Sequence, residues 1–169
     1  MAKLNIASFT RRTGRKKKDL AKFLRKLGKT NKRGIYPAAV QANYEVWQEI
    51  ECLDCANCCK KMTPTYTPKD IKRIATHLDM TYDEYYEKWL KKDTNGDIIN
   101  KSTPCQFLGK DHKCTIYEFR PDDCAQFPHF VRKDVKFQIQ QKTYTNNLSY
   151  CPATLRFVEK LEEAFAAKL

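Results

Sequence analysis

A chain of 169 residues, 41% of them hydrophobic, is long enough to bury a core of its own, so its eight cysteines are not needed to rescue a miniature fold. No run of about 18 apolar residues occurs, which argues against a helical membrane span, and the first residues lack the continuous apolar segment of a secretory signal. The formal net charge of +12 is unevenly placed: residues 1–34 hold thirteen Lys and Arg against one acid, Asp19, which is the whole excess.

Two parts are therefore expected, a basic leader over residues 1–34 and an electrically balanced, cysteine-rich domain over residues 35–169. Such a leader is drawn to polyanions: RNA, a ribosome, DNA or an anionic membrane surface. Its densest cations, Arg11, Arg12, Arg15, Lys16, Lys17 and Lys18, are the candidate nucleic-acid contacts. The plainer alternative is a solvated tail that aids solubility. Within the leader, Leu20, Phe23, Leu24 and Leu27 recur at helical spacing and Gly28 is a natural stop. The pattern predicts a basic amphipathic helix whose apolar stripe docks on the domain or waits for a partner.

A second helix is expected from Pro37 to about Ile50, with Val40, Tyr44, Trp47 and Ile50 on its buried face. It delivers the chain into "CLDCANCC", Cys52 to Cys59. Next, Thr67-Pro68 with Asp70 reads as a helix start, with Ile71, Ile74, Ala75 and Leu78 facing inward. Thr81 with Glu84 is a capping box for a shorter helix carrying Tyr82, Tyr85 and Trp89 on its inner side. The acids Asp83, Glu84 and Glu87 argue against a groove-reading role for that helix, so the pair reads as structural.

Asn95-Gly96 marks a turn suited to a short hairpin. A loop-rich stretch then carries Cys105, Cys114 and Cys124. Val131, Val135, Phe137 and Ile139 alternate imperfectly and predict one or two short strands within residues 129–145. Pro152 opens a last helix with Leu155, Val158, Leu161, Phe165 and Leu169 along one face. The fold class expected is mainly α, a small α+β domain of short helices and a minor β element around a cysteine-ligated metal centre.

The cysteine pattern is C-x2-C-x2-C-C, followed by Cys105, Cys114, Cys124 and Cys151. Disulfides are disfavoured in the cytoplasmic, reducing setting expected for a chain without an export signal. Two-residue spacing lets neighbouring thiolates of a tight turn point at one centre, as in zinc sites and iron–sulfur clusters. Three such cysteines in a row suit the corner of a [4Fe–4S] cluster better than a single ion, with a remote Cys-Pro supplying the fourth ligand. Here that remote pair is Cys151-Pro152 at a helix start, where thiolate charge is favoured. One partition assigns Cys52, Cys55, Cys58 and Cys151 to one site, and Cys59, Cys105, Cys114 and Cys124 to a second. A single centre with several non-ligating cysteines stays open, as does zinc in place of iron–sulfur.

Beside the cysteines, Arg120 is placed to hydrogen-bond sulfur or bind an anion, or simply to pair with Glu118, Asp122 or Asp123 or cap loop carbonyls. Tyr117 reads as a core tyrosine with its hydroxyl on the backbone. His112 and His129 are candidate ligands or, more ordinarily, supporting groups around a metal loop. Phe107, Phe119, Phe127 and Phe130 shield a centre from water or pack a core. No Ser-His-Asp set, catalytic carboxylate pair or phosphate-binding loop is legible.

The elements "CLDCANCC", "TPCQFL", "CTIYEFRPDDCAQFP" and the late "CPA", together with the helical "TPKDIKRIATHL", occur in order over about residues 47–160. In them the chain resembles the YkgJ-like cysteine-cluster family, the CxxCxxCC domains described as zinc- or iron-chelating. The resemblance implies a bound zinc or iron centre. A related cysteine domain occurs in flagellin lysine N-methylases, which implies that the scaffold can serve an enzyme. The function expected is a cytoplasmic iron–sulfur protein, [4Fe–4S] favoured, in electron transfer, redox sensing or cluster-dependent modification of a protein partner. The alternative is a zinc-stabilised module whose basic leader binds RNA or the ribosome.

Overall fold

The computed structural model describes residues 5–30, 34–53, 55–131 and 139–165. Among these the architecture is mainly α: eight α-helices, one short 3-10 turn and a two-stranded antiparallel sheet. The chain divides into two compact units, residues 1–52 with 128–169, and residues 53–127.

The first unit is a bundle of α1 (Ile6–Gly28), α2 (Ile35–Glu49), α7 (Gln141–Asn147) and α8 (Pro152–Phe165), in which α8 packs on the other three. The basic helix is longer than the apolar repeat suggests. Asn5 caps it by accepting the Ser8 N–H at 2.9 Å, and Phe9 and Thr13 extend the buried stripe of Leu20, Phe23, Leu24 and Leu27 toward its start. That stripe is docked, as α1 packs against α7 and α8. Burying each of these leucines contributes roughly 2 kcal/mol relative to leaving it in water.

α2 corrects two expectations. It begins at Ile35, two residues before Pro37, after Gly34 in a left-handed conformation (φ 97°). Pro37 is tolerated there because the first-turn N–H groups have no helical acceptors. Its buried face is Ala39, Ala42 and Val46, while Val40 and Tyr44 are exposed. The small alanines allow close approach to α8, and that contact outweighs the larger side chains of the opposite stripe.

α8 buries Leu155, Val158, Leu161 and Phe165 as its periodicity dictates; Leu169 lies outside the described residues. Phe130 belongs to this core, stacked on Phe157 at 4.1 Å between ring centroids and tilted against Trp47 at 6.0 Å. The strands expected in residues 129–145 are corrected in part. Residues 132–138 lie outside the described residues, Ile139 is in no strand, and 141–147 form α7. There Tyr144 is fully buried and its hydroxyl donates to the Phe130 carbonyl at 2.7 Å, a contact that wins over local β preference.

The second unit holds α3 (Asn57–Lys61), α4 (Pro68–His77), α5 (Tyr82–Trp89), β1 (Leu90–Lys92), β2 (Ile98–Asn100) and α6 (Asp122–Gln126). Both capping boxes form, Thr67 with Asp70 and Thr81 with Glu84, so the helix pair starts where the sequence says it should. β1 and β2 pair in the register Leu90↔Asn100, with Gly96 at φ 87° in the turn. The core gathers Tyr66, Ile71, Ile74, Ala75, Tyr85, Leu90, Phe107 and Ile116. Tyr82, expected inward, is exposed and stacks on Tyr86 at 6.4 Å; Tyr85 is fully buried and Trp89 packs against it at 5.1 Å.

Candidate metal centre

Six of the eight cysteines, Cys55, Cys58, Cys59, Cys105, Cys114 and Cys124, belong to the second unit. All eight are free thiols. α3 is a single turn entered through Ala56 in a left-handed conformation (φ 50°), which turns the chain sharply so that Cys58 and Cys59 open a helix. Their Sγ atoms are 3.9 Å apart.

Local pairing brings the remote cysteines to Cys59. The Cys105 N–H donates to the Cys59 carbonyl at 2.8 Å. Leu108 and Cys114 form an isolated antiparallel bridge, closed by Gly109 N–H to Lys113 O at 2.8 Å and Thr115 N–H to Phe107 O at 2.9 Å. Cys124 sits on α6. Two acids of α6 fix that helix in place. The Asp122 N–H donates to Asp70 Oδ1 at 3.1 Å, and Asp123 Oδ2 accepts the Thr65 N–H at 2.9 Å. Arg73 of α4 completes the clamp, reaching Asp70 at 2.7 Å, Asp122 at 3.2 Å and the Arg120 carbonyl at 3.0 Å.

Charge on Cys59 bears on the other thiols. The hydrogen bond from Cys58 is the main reason the Cys59 thiol is lowered to about 7, with burial opposing and its own backbone N–H and Lys60 assisting. Burial pushes the Cys55, Cys105, Cys114 and Cys124 thiols up, and Cys59 pushes each of them further. Arg120 acts the other way on Cys114. Its guanidinium lies over the Tyr117 ring at 3.7 Å and donates to the Tyr117 carbonyl, so it also closes the 3-10 turn Tyr117–Phe119.

The remaining candidates are placed as follows. Cys52 is exposed and Cys151 is buried; both belong to the first unit. Cys151 Sγ accepts the Thr154 N–H at 3.4 Å at the start of α8. His112 is exposed at φ 68° with Nδ1 against Lys60 Nζ at 2.5 Å, and His129 is half-buried at φ 61°. Phe119 stacks on His77 at 3.7 Å, and Phe107 packs on Tyr85 and Trp89.

Several groups that hold the cysteines were not legible as such. Asp70 reads only as a helix-start residue and Arg73 carries no signal, because nothing in a one-dimensional spacing says that α4 will grip α6. Tyr66 and Tyr85 are a second case. Burial pushes both hydroxyls up, and Cys105 and Cys124 push both further, so the tyrosines flank these thiols. The Tyr66 hydroxyl donates to Asn100 Oδ1 at 2.7 Å, whereas the buried Tyr85 hydroxyl makes no well-formed hydrogen bond among the described residues and interacts only loosely with Tyr66.

The donor set fits a thiolate-binding metal. Half-buried free thiols raise one another, a repulsion that a cation relieves as the protons leave. Among the described residues, no three Cys, His, Asp or Glu side chains are already drawn together closely enough to hold an ion.

Residues 51–152 match the family described as "CxxCxxCC: Putative zinc- or iron-chelating domain". The chain belongs to this CxxCxxCC family. Metal binding is thereby supported for the cysteine domain. The chain is also 33% identical over 84 residues to "Uncharacterized protein MJ0661" of Methanocaldococcus jannaschii, a match covering 48% of this chain and 45% of that relative. The matched segment thus spans less than half the relative's length. No solved structure matches the chain. No helix among the described residues is long and apolar enough to cross a membrane.

Proposed function

We propose that the CxxCxxCC domain carries an iron–sulfur centre, seated on Cys59, Cys105, Cys114 and Cys124, and serves electron transfer or cluster-dependent modification of a protein partner in a reducing compartment. One observation carries this reading. Charge on Cys59 raises the thiols of Cys55, Cys105, Cys114 and Cys124, and Cys58 is hydrogen-bonded to it at 3.9 Å. The C-x2-C-x2-C spacing that leads into Cys59 suits a cluster better than a single ion and favours iron–sulfur. An iron–sulfur cluster, when bound, accepts and releases single electrons. The chain's own contribution is to present thiolates, to hold Cys124 through the α4–α6 clamp, and to cover the site with Phe107, Tyr66 and Tyr85. Cys55 and Cys58 supply further thiols within the same unit.

A second reading, structural zinc, is favoured by the Cys58–Cys59 Sγ separation of 3.9 Å. Two thiolates on one tetrahedral zinc, each bonded at about 2.3 Å, stand about 3.8 Å apart. Anaerobic purification followed by iron, sulfide and zinc counts and an ultraviolet–visible spectrum separates the two. Iron with acid-labile sulfide and a thiolate-to-iron absorption band is expected. A colourless protein with stoichiometric zinc and no sulfide would replace the first reading by the second. Serine at Cys59, Cys105, Cys114 or Cys124 should each lower the metal count; full occupancy in all four variants would remove the assignment of ligands.

A further inference from the structure

We infer that the outer face of α1 is a binding site for the phosphate backbone of a nucleic acid. The inference is independent of which metal the cysteines hold. It starts from a division that the structure makes among the basic residues. Arg12 and Lys16 turn inward and pair with Glu159 of α8, at 2.7 Å and 3.1 Å, and Lys17 Nζ meets Ser149 Oγ at 2.5 Å. These three anchor the helix to its bundle.

The others face water. Arg11, Arg15, Lys18, Lys22, Arg25, Lys26 and Lys29 are all exposed, and none has an ion-pair partner among the described residues. Their spacing is i, i+4, i+7, i+11, i+14, i+15 and i+18. At 100° per residue they fall within about a 100° arc, centred roughly opposite the buried stripe of Phe9, Thr13, Leu20, Phe23, Leu24 and Leu27. The first and last of them are about 27 Å apart along the helix axis. A duplex strand carries about eight phosphates over that length. Asp19 is the sole acid of the helix. A row of unneutralised cations on one helix face is therefore already formed, and no ordering of a tail is needed to make it.

The same docking argues against a bilayer as the occupant. A helix that binds a membrane surface buries its apolar face among the acyl chains. Here that face is spent within the protein: Leu20, Leu24 and Leu27 are at most 1% exposed. What remains outward is charge without an apolar wedge, which suits counterion release on a phosphate chain. Nothing on this face reads base edges, so backbone recognition independent of sequence is the activity assigned.

The test uses the full chain as purified, with labelled duplex RNA, duplex DNA and single-stranded RNA, over a salt series. Binding should fall steeply with salt, with a log–log slope reaching about −6 if all seven cations engage. The variant Arg15→Gln, Lys18→Gln, Lys22→Gln should lower that slope by about 3, one for each lost phosphate contact. A Glu version of the same triple should abolish binding, while circular dichroism and thermal unfolding stay as in the parent, since these side chains hold nothing in place. Arms with RNA and DNA distinguish the source of the phosphate. Two results would overturn the inference: an affinity and slope unchanged in the Gln triple, or binding only to phosphatidylserine vesicles and to none of the nucleic acids.

Discussion

Arg12 grips Glu159 with two parallel hydrogen bonds, Nε to Oε1 at 2.8 Å and Nη2 to Oε2 at 2.7 Å. The carboxylate side chain is 2% exposed and the arginine 52%, so the acid is the buried partner and the base its lid. Arg12→Ala leaves Glu159 with Lys16 and a distant Arg156 at 3.9 Å. The expected cost is about 2 kcal/mol, the penalty of stripping a charge-assisted bond from a buried acceptor. Thermal unfolding of Arg12→Ala beside Arg11→Ala checks it, since Arg11 makes no such contact and its loss should leave the melting temperature nearly unchanged.

Asp70 joins two helix starts. Its carboxylate accepts from the Thr67 backbone and hydroxyl, the Asp122 N–H and Arg73. Burial alone would push the carboxyl up; the bonds from Thr67 and Asp122 and the Arg73 charge outweigh burial and hold it below its usual value. A carboxyl lowered on folding stabilises the folded state above the ordinary carboxylate range, about pH 4, and that contribution is lost as pH falls through the folded value. Asp70→Asn should therefore cost about 2 kcal/mol at neutral pH and flatten the acid limb of a pH–stability curve. Urea unfolding at a series of pH values reads both. An acid limb identical to the parent's would contradict the role given to Asp70.

Gly109 lies in the tight loop between Cys105 and Cys114. A Cβ there would stand 2.7 Å from Asp111 Oδ1 and 3.2 Å from the Lys113 carbonyl. The Asp111 oxygen accepts the Lys113 N–H at 3.1 Å, so moving it aside breaks the loop's own closure. Gly109→Ala should cost about 1 kcal/mol and speed metal loss to a chelator, because the loop sets where Cys114 points. Unfolding midpoints and the rate of metal transfer to a chromogenic chelator measure the two effects.

Tyr85 buries a hydroxyl that makes no well-formed hydrogen bond among the described residues, with Tyr66 a loose partner. Tyr85→Phe removes a desolvated polar atom while keeping the ring against Trp89 and Phe107. Metal-free protein with this change should be at least as stable as the parent, by up to about 1 kcal/mol. A loss of stability in the metal-free protein would mean that the hydroxyl is bonded in solution.

Much of the scaffold was readable in one dimension. Thr67–Asp70 and Thr81–Glu84 are local devices whose partners lie three residues away, so the sequence contains all of the relevant geometry. Membership of the CxxCxxCC family is similar, because the spacing of the cysteines is itself the signal. What failed was choice between faces. In α2, Val40 and Tyr44 are much larger than Ala39 and Ala42, yet closeness to α8 selects the small residues. Sorting Arg12 and Lys16 from Arg11, Arg15 and Lys18 needed Glu159, nearly the full chain away, and no local pattern carries that information. The same holds for residues 141–147, where burial of Tyr144 overrides a strand-like composition.

The helical unit is made from both ends of the chain, residues 1–52 and 128–169, with residues 53–127 threaded between them. That connectivity imposes an order on synthesis. α1 emerges first but finds its docking helices, α7 and α8, only after every cysteine of residues 53–127 has been made. The inserted unit closes through nearer contacts and, as domains generally fold as units during synthesis, can complete itself earlier. During that interval the apolar stripe of α1 is uncovered, so a nascent chain offers a different surface from the finished protein. A chain stalled before α8 would thus present the thiols of residues 53–127 in folded form while α1 still lacks α8.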